Sequence, residues 1–194
     1  MSLPVAELRA MVGRTATYTA PEELGRAAIR MFAVAVGDTN PLYTDREFAR
    51  AWGYDDVVAP PTLLCETNQY AGLPADADGY AGHTWGIDIP GTRKVRGGNA
   101  YTFHKAVHPD DVVTACWTLT DVAERRMSSG LAMVIVSSVA TYSNQRGELL
   151  VTNEETVIWT ELPGPKKAAR NSATTGSATS GSATTGSGTT KAAT

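Results

Sequence analysis

The chain has little of what several large protein classes need. Only two of its 194 residues are cysteines, Cys65 and Cys116, each inside an apolar segment and without a Cys-x-x-Cys spacing. That is the usage of a reduced, cytoplasmic protein rather than a disulfide-built secreted one. No run of 18 apolar residues occurs, so no membrane span is expected, and the start Met1-Ser-Leu-Pro-Val-Ala-Glu-Leu-Arg lacks a basic region followed by an apolar stretch. Three histidines are scattered at 83, 104 and 108, with no His/Cys/Asp/Glu cluster at metal-ligand spacing. Neither Gly-x-Ser-x-Gly nor a phosphate-binding glycine loop is present. The site is expected to need no metal and no cofactor.

Positive charge is scarce too. Seventeen Lys and Arg stand against 20 Asp and Glu, a net charge of −3. Lys166, Lys167, Arg170 and Lys191 all lie beyond Pro163, where no acid occurs, so the rest of the chain carries 13 cations against 20 acids, or −7. A body this acidic is a poor partner for a nucleic-acid backbone, and no nucleic acid is expected as ligand. From residue 163 the composition reduces to Ser, Ala, Thr and Gly with near-repeats of Ser-Ala-Thr-Thr-Gly. Nothing there can be buried to offset the entropy of ordering, so 163–194 reads as a disordered tail and 1–162 as one domain.

Within that domain the most informative stretch is Gly37-Asp38-Thr39-Asn40-Pro41-Leu42-Tyr43-Thr44-Asp45, followed by Gly53-Tyr54-Asp55-Asp56-Val57-Val58-Ala59-Pro60-Pro61-Thr62. Gly37 can take a positive φ, Asp38 and Asn40 can bond their own backbone two residues on, and Pro41 cannot continue a helix. The pattern fixes a carboxylate and an amide at a turn that ends an apolar helix. Turn formation alone accounts for Asp38 and Asn40, and packing alone for Tyr43, so each has a structural role available beside a chemical one.

Upstream, Thr15, Thr17 and Thr19 alternate in a short strand, and Thr19-Ala20-Pro21-Glu22 fits a capped helix start, with Leu24, Ala28, Met31 and Ala35 on one face. Asp45 to Trp52 reads as a second helix stopped by Gly53, and Leu63 to Ala71 as a third, closed by Gly72. Residues 74–82 read as a loop, with His83 exposed in a loop and His108 exposed at a turn. The period then changes to two: Tyr101 to Val107, and Val113, Ala115, Trp117 and Leu119 against Val112, Thr114, Cys116 and Thr118. Leu131 to Tyr142 reads as a central strand covered on both faces, turned back by Asn144-Gln-Arg-Gly147 into Leu149 to Trp159. Helices followed by long antiparallel strands describe an α+β domain.

Gly-Asp-Thr-Asn-Pro-Leu-Tyr-x-Asp with Gly-Tyr-Asp and Val-Ala-Pro-Pro-Thr resembles the N-terminal dehydratase-like domain of the MaoC family of (R)-specific enoyl-thioester hydratases. The likeness extends through Phe103-His104-Lys105, Pro109-x-Asp111-Val112-Val113 and the hairpin from Met127 to Ile158, and covers about Val5 to Leu162. It implies a hotdog fold, a curved antiparallel sheet around a central helix, and a substrate carried as a thioester of coenzyme A or of phosphopantetheine on a carrier protein.

In catalytic members the motif reads Gly-Asp-x-Asn-Pro-Leu-His, and the Asp and His together activate water. Here Tyr43 stands at the His position, and a phenol with an ordinary pKa near 10 is a poor water-activating base near neutrality. The resemblance therefore implies Asp38, Tyr43 and His104 as the catalytic candidates. Asn40, the helix start at Thr62 and Leu63, and the basic run Arg93, Lys94 and Arg96 are candidates for holding the thioester and its phosphates. It further implies pairing with a catalytic hotdog subunit in a hetero-oligomer. The alternatives are an autonomous homodimer using Asp38 with Tyr43 or His104, and a non-catalytic acyl-binding module.

Overall fold

The structure, a computed structural model, describes residues 4–163 except 67 and 78, and leaves out the side chains of 66 and 68. The proposed tail, residues 164–194, lies outside the described residues. Five strands make one antiparallel sheet: β1 (Thr15–Thr19), β2 (Thr92–Phe103), β3 (Thr114–Arg126), β4 (Ala132–Ser143) and β5 (Leu149–Glu161), in the order β1-β3-β4-β5-β2. Three short helices, α1 (Val5–Arg9), α2 (Arg26–Val36) and α3 (Arg46–Ala51), accompany it. This is the hotdog arrangement that the motifs imply.

The alternation in β3 maps directly onto burial. Val113, Ala115, Trp117 and Leu119 are each 5 % exposed or less and face the core, and on β4 Ala132, Val134, Val136, Ser138, Ala140 and Tyr142 do the same. The other face of β4 is only half-covered at Met133, Ile135, Ser137 and Val139 and open at Thr141, so the expectation of cover on both faces is not met by this chain alone.

Other expectations yield to tertiary pairing. The helix does not start at Thr19. That residue ends β1, its hydroxyl is 3.0 Å from the Thr114 hydroxyl, and the backbone beyond it is tied to the 109–113 turn by Ala20 N to Val113 O, Leu24 N to Asp111 O and Gly25 N to Pro109 O. These bonds keep residues 20–25 out of a helix, and the local capping signal loses to them. α2 therefore starts at Arg26 and buries Ile29 and Ala33, while Met31 is 69 % exposed.

The central segment is not the regular α-helix expected over Leu63 to Ala71. It consists of two 3₁₀ stretches, Pro61–Glu66 and Asn68–Tyr70. Leu63 and Leu64 in the first stretch and Gln69 and Tyr70 in the second are all buried. The Gln69 amide donates to Leu64 O at 3.1 Å, tying the two stretches together, and the Trp117 indole N–H donates to the Tyr70 hydroxyl at 2.8 Å, fastening the segment to the sheet.

β2 begins at Thr92, well before Tyr101, so the run Arg93-Lys94-Val95-Arg96 is strand and not loop. It lies at the sheet's edge, where charged side chains are usual. Its pairing with β5 slips by one residue between Arg96 and Gly98. A Cβ on Gly97 would lie 3.0 Å from Ile158 Cδ1, so the bulge fits a residue without a side chain.

Candidate functional site

The turn at Gly37 behaves as its residues dictate. Gly37 closes α2 with φ 72°, and Asp38 N donates to Ala33 O at 2.9 Å, using a carbonyl the helix end leaves over. Asp38 Oδ1 accepts from Asn40 N at 3.0 Å, and Asn40 Oδ1 from Leu42 N at 3.1 Å, capping the 3₁₀ turn Pro41–Tyr43. Each side chain spends one oxygen on the turn. Asp38 is exposed, and its Oδ2 takes no hydrogen bond from the described residues.

That turn carries Tyr43 to the wall of a cavity of about 340 Å³. Two backbone bonds bring the opposite wall to it: Val58 N to Leu42 O at 3.1 Å, and Ala59 N to Val107 O at 2.8 Å. The cavity thus unites Tyr43, Tyr54, Ala59 and Pro61 with Phe103 and His104 from the end of edge strand β2 and just beyond it. Tyr54 and Phe103 are additions to the sequence candidates. The period-two pattern of 101–107 is a signal for Phe103, and the Gly53-Tyr54-Asp55 motif is one for Tyr54.

Partial burial holds the Tyr43 phenol above its ordinary pKa, the nearby Asp38 carboxylate raises it further, and the Asn40 side-chain hydrogen bond opposes both. At neutral pH Tyr43 is a proton donor beside a carboxylate. It can donate a hydrogen bond to a carbonyl or enolate oxygen, and it cannot take a proton from water. His104 shares the cavity, and its Nε2 lies 3.0 Å from the Thr152 hydroxyl.

The remaining candidates fall elsewhere. Thr62 and Leu63 do not line this cavity, and the Leu63 amide, expected as a donor to substrate, is bonded to Pro60 O at 2.9 Å. Arg93, Lys94 and Arg96 sit toward the other end of β2. Lys94 Nζ stands 5.8 Å from the centre of the Trp159 ring, and Arg96 pairs with Glu155 at 3.4 Å. A cavity of about 800 Å³ adjoins the Tyr43 cavity at Lys105 and Ala106, but its cations are mostly paired: Arg26 and Arg46 with Asp56, Lys105 with Glu148, and Arg146 with Asp110, Asp111 and Glu148. Among the described residues no group of three or more His, Cys, Asp or Glu could hold a metal, and no helix is long and apolar enough to cross a membrane.

His83 is the clearest reversal. Expected in the open, it is buried, stacked on Trp117 with ring centres 4.5 Å apart and meeting Trp85 edge-on at 4.4 Å. Its Nδ1 lies 3.0 Å from the Tyr18 hydroxyl. Burial pushes its pKa down to about 4, so it stays neutral in the folded protein while the unfolded chain takes up a proton near pH 6.5. The unfolded state therefore binds more protons between these values, and stability falls as pH drops through that window, by roughly 2 kcal/mol. Urea unfolding at pH 7 and at pH 4.5 checks this: His83→Phe should lose less stability between the two than the native chain does.

Comparisons with known proteins bear on the family and the fold. Residues 10–153 match the family model for the FAS1-like dehydratase domain region. A UPF0336 protein of Streptomyces coelicolor is 36% identical over 154 residues, covering 79% of this chain and 92% of that protein. Another, from Leifsonia xyli, is 35% identical over 149 residues, covering 77% and 93%.

Among solved structures, the (R)-hydratase from A. caviae involved in PHA biosynthesis superposes with a TM-score of 0.53 at 26% identity, covering 78% of this chain and 96% of that one. The HadBC (3R)-hydroxyacyl-ACP dehydratase complex of Mycobacterium tuberculosis gives 0.52 at 26% identity, covering 75% and 96%. The ChsH1–ChsH2 complex, also of Mycobacterium tuberculosis, gives 0.61 at 18% identity, covering 84% and 92%, a likeness of fold. With the Gly-Asp-x-Asn-Pro-Leu turn, the hotdog sheet and these relatives together, the chain belongs to the FAS1-like dehydratase-region family of MaoC-like hotdog proteins.

Proposed function

We propose that this chain is the substrate-holding half of a two-hotdog hydratase/dehydratase acting on an acyl thioester, and that a second, catalytic hotdog subunit supplies the water-activating Asp/His pair. The carrying observation is Tyr43: the position that holds an imidazole in catalytic relatives holds a phenol whose proton is retained. Adding water to a 2-enoyl thioester needs a base at the β-carbon, an acid at the α-carbon and dipoles on the enolate oxygen. Tyr43 is suited to the last of these and unsuited to the first.

The surroundings support pairing. The cavity opens at the end of edge strand β2, where Phe103 is 44 % exposed and stacks with Tyr101 at 6.1 Å between ring centres. An edge strand with an exposed aromatic beside a substrate cavity is a surface that a second sheet can complete. HadBC and ChsH1–ChsH2 are themselves complexes of two differently named chains. The thioester would ride on coenzyme A or a carrier phosphopantetheine, and the complex would work in the cytoplasm.

A second reading keeps one observation of its own. His104 lines the same cavity as Tyr43, so a homodimer using Asp38 with His104 would have an imidazole available. Recovery of the chain from its native host under mild conditions separates the two. A 1:1 complex with a hotdog subunit carrying Gly-Asp-x-Asn-Pro-x-His supports the first. A homodimer with hydratase activity that Asp38→Asn abolishes, with the fold intact, replaces it by the second. Tight acyl-thioester binding without turnover in any combination would leave a binding module.

A further inference from the structure

A second cavity, of about 290 Å³, lies under the first half of β2 and shares no lining residue with the Tyr43 cavity. Val95 and Phe103, one from each lining, are eight residues apart on the strand, ~26 Å at its rise per residue. Lys94 and Arg96 in its lining are among the residues expected from the sequence to meet the thioester's phosphates, but the proposed function rests on the Tyr43 cavity alone. Its apolar lining is Trp85, Ile87, Val157 and Trp159. Trp85 is held in place by its indole N–H, which donates to the buried Ser138 hydroxyl at 2.8 Å.

Two polar features in this lining are available to a ligand: among the described residues, a buried nitrogen without a hydrogen-bond partner and an exposed ammonium without a carboxylate. His83 is 9 % exposed, its Nδ1 is engaged by Tyr18, and its Nε2 is buried with no hydrogen-bond partner. An orphaned ring nitrogen costs free energy in an empty site and repays it on meeting a ligand atom. The second feature is Lys94. The other cation in the lining, Arg96, is paired with Glu155, and Asp76 accepts from Tyr80 N at 2.8 Å. Lys94 has no carboxylate partner among the described residues and lies over the Trp159 face.

We propose that this cavity binds a small planar carboxylate that carries a second oxygen. The ring system lies against Trp85 and Trp159, the carboxylate pairs with Lys94, and the second oxygen meets His83 Nε2. Planarity follows from the indole walls, the negative charge from the unpaired ammonium, and the extra oxygen from the orphaned imidazole nitrogen. The volume is at the small end for ligand pockets and suits a two-ring acid better than a long chain. The inference rests on residues outside the Tyr43 site and stands or falls independently of the subunit role.

Calorimetric titration of the full-length chain tests it with three probes: 2-naphthoate, 6-hydroxy-2-naphthoate and the uncharged 2-naphthylmethanol. One-to-one binding is expected for both acids, at least tenfold tighter than for the alcohol, with the hydroxylated acid the tighter of the two. Lys94→Met, at an exposed position, should bring both acids down to the affinity of the alcohol. His83→Phe should cancel the advantage of the hydroxyl, and Asp38→Ala should change none of the affinities. Equal binding of acid and alcohol, acid affinity indifferent to Lys94→Met, weakening by Asp38→Ala, or no binding by any probe would each overturn the proposal.

Discussion

Replacing Tyr43 by histidine should raise the hydratase activity of the isolated chain, which under the proposed function is at background in the native sequence. The substitution restores Gly-Asp-x-Asn-Pro-Leu-His on a turn whose backbone already has its bonds in place, Tyr43 N to Asn40 O at 3.1 Å among them. An imidazole titrates near neutrality and can take a proton from water, whereas the Tyr43 phenol, raised by burial and by Asp38, cannot. Well-placed general acid–base groups contribute about 10²–10⁴-fold, so a gain of at least the lower figure in kcat/KM on a short enoyl thioester is expected. Tyr43→Phe is the control: it keeps the ring, loses the hydroxyl and should gain nothing. Should Tyr43→Phe lower an activity already present in the native chain, the phenol would be a catalytic group after all.

The second large effect concerns stability. Asp111 is fully buried at the turn before β3, where its Oδ2 accepts from His108 N at 2.8 Å and its Oδ1 from Asn144 at 3.1 Å and Arg146 at 2.5 Å. Glu148 completes the cluster. Hydrogen bonds from Asn144, Lys105 and Arg146 pull its pKa down to about 2. Removing the Asp111 carboxylate strands a backbone N–H and an amide and unpairs Arg146, so Asp111→Ala should cost about 3 kcal/mol in urea unfolding. Glu148→Gln, at a site open to water, should cost far less. Because the folded pKa of Glu148 lies below its unfolded value near 4.5, its contribution is present above pH 4.5 and lost as pH falls toward 2. A destabilisation by Glu148→Gln that matched Asp111→Ala would show that the rim, not the buried carboxylate, holds this turn.

The sheet was legible in the sequence wherever one face alone is buried, because period-two alternation then has a single cause. Val113 to Leu119 is the clear case. The charged start of β2 was not, since Arg93-Lys-Val-Arg-Gly-Gly looks like a solvated loop until β5 pairs with it. The start of α2 was misplaced because Thr19 to Glu22 carries a local helix signal that pairing with the 109–113 turn overrides. For His83, a loop position and a polar side chain argued for solvent. The flanking Trp85 was the one local hint, and Tyr18 and Trp117 come from far along the chain.

The site divides in the same way. Asp38, Asn40 and Tyr43 were readable because they lie within six residues and make their own turn. The cavity beside them was not, because its other wall comes from Phe103 to Val107, some 60 residues away, and is placed there by Ala59 N bonding Val107 O. The basic run showed the limit of composition. Clustered cations suggest phosphate binding but carry no information on place, and Lys94 and Arg96 line a cavity separate from that of Tyr43.

The most direct test is the initial rate of crotonyl-CoA hydration by the purified chain, alone and after adding the companion hotdog subunit from its host. No turnover above background is expected from the chain alone and full turnover from the mixture, lost when the companion's aspartate and histidine are replaced and retained in Asp38→Ala of this chain. Turnover at enzymatic rates by the isolated chain would contradict the proposed function.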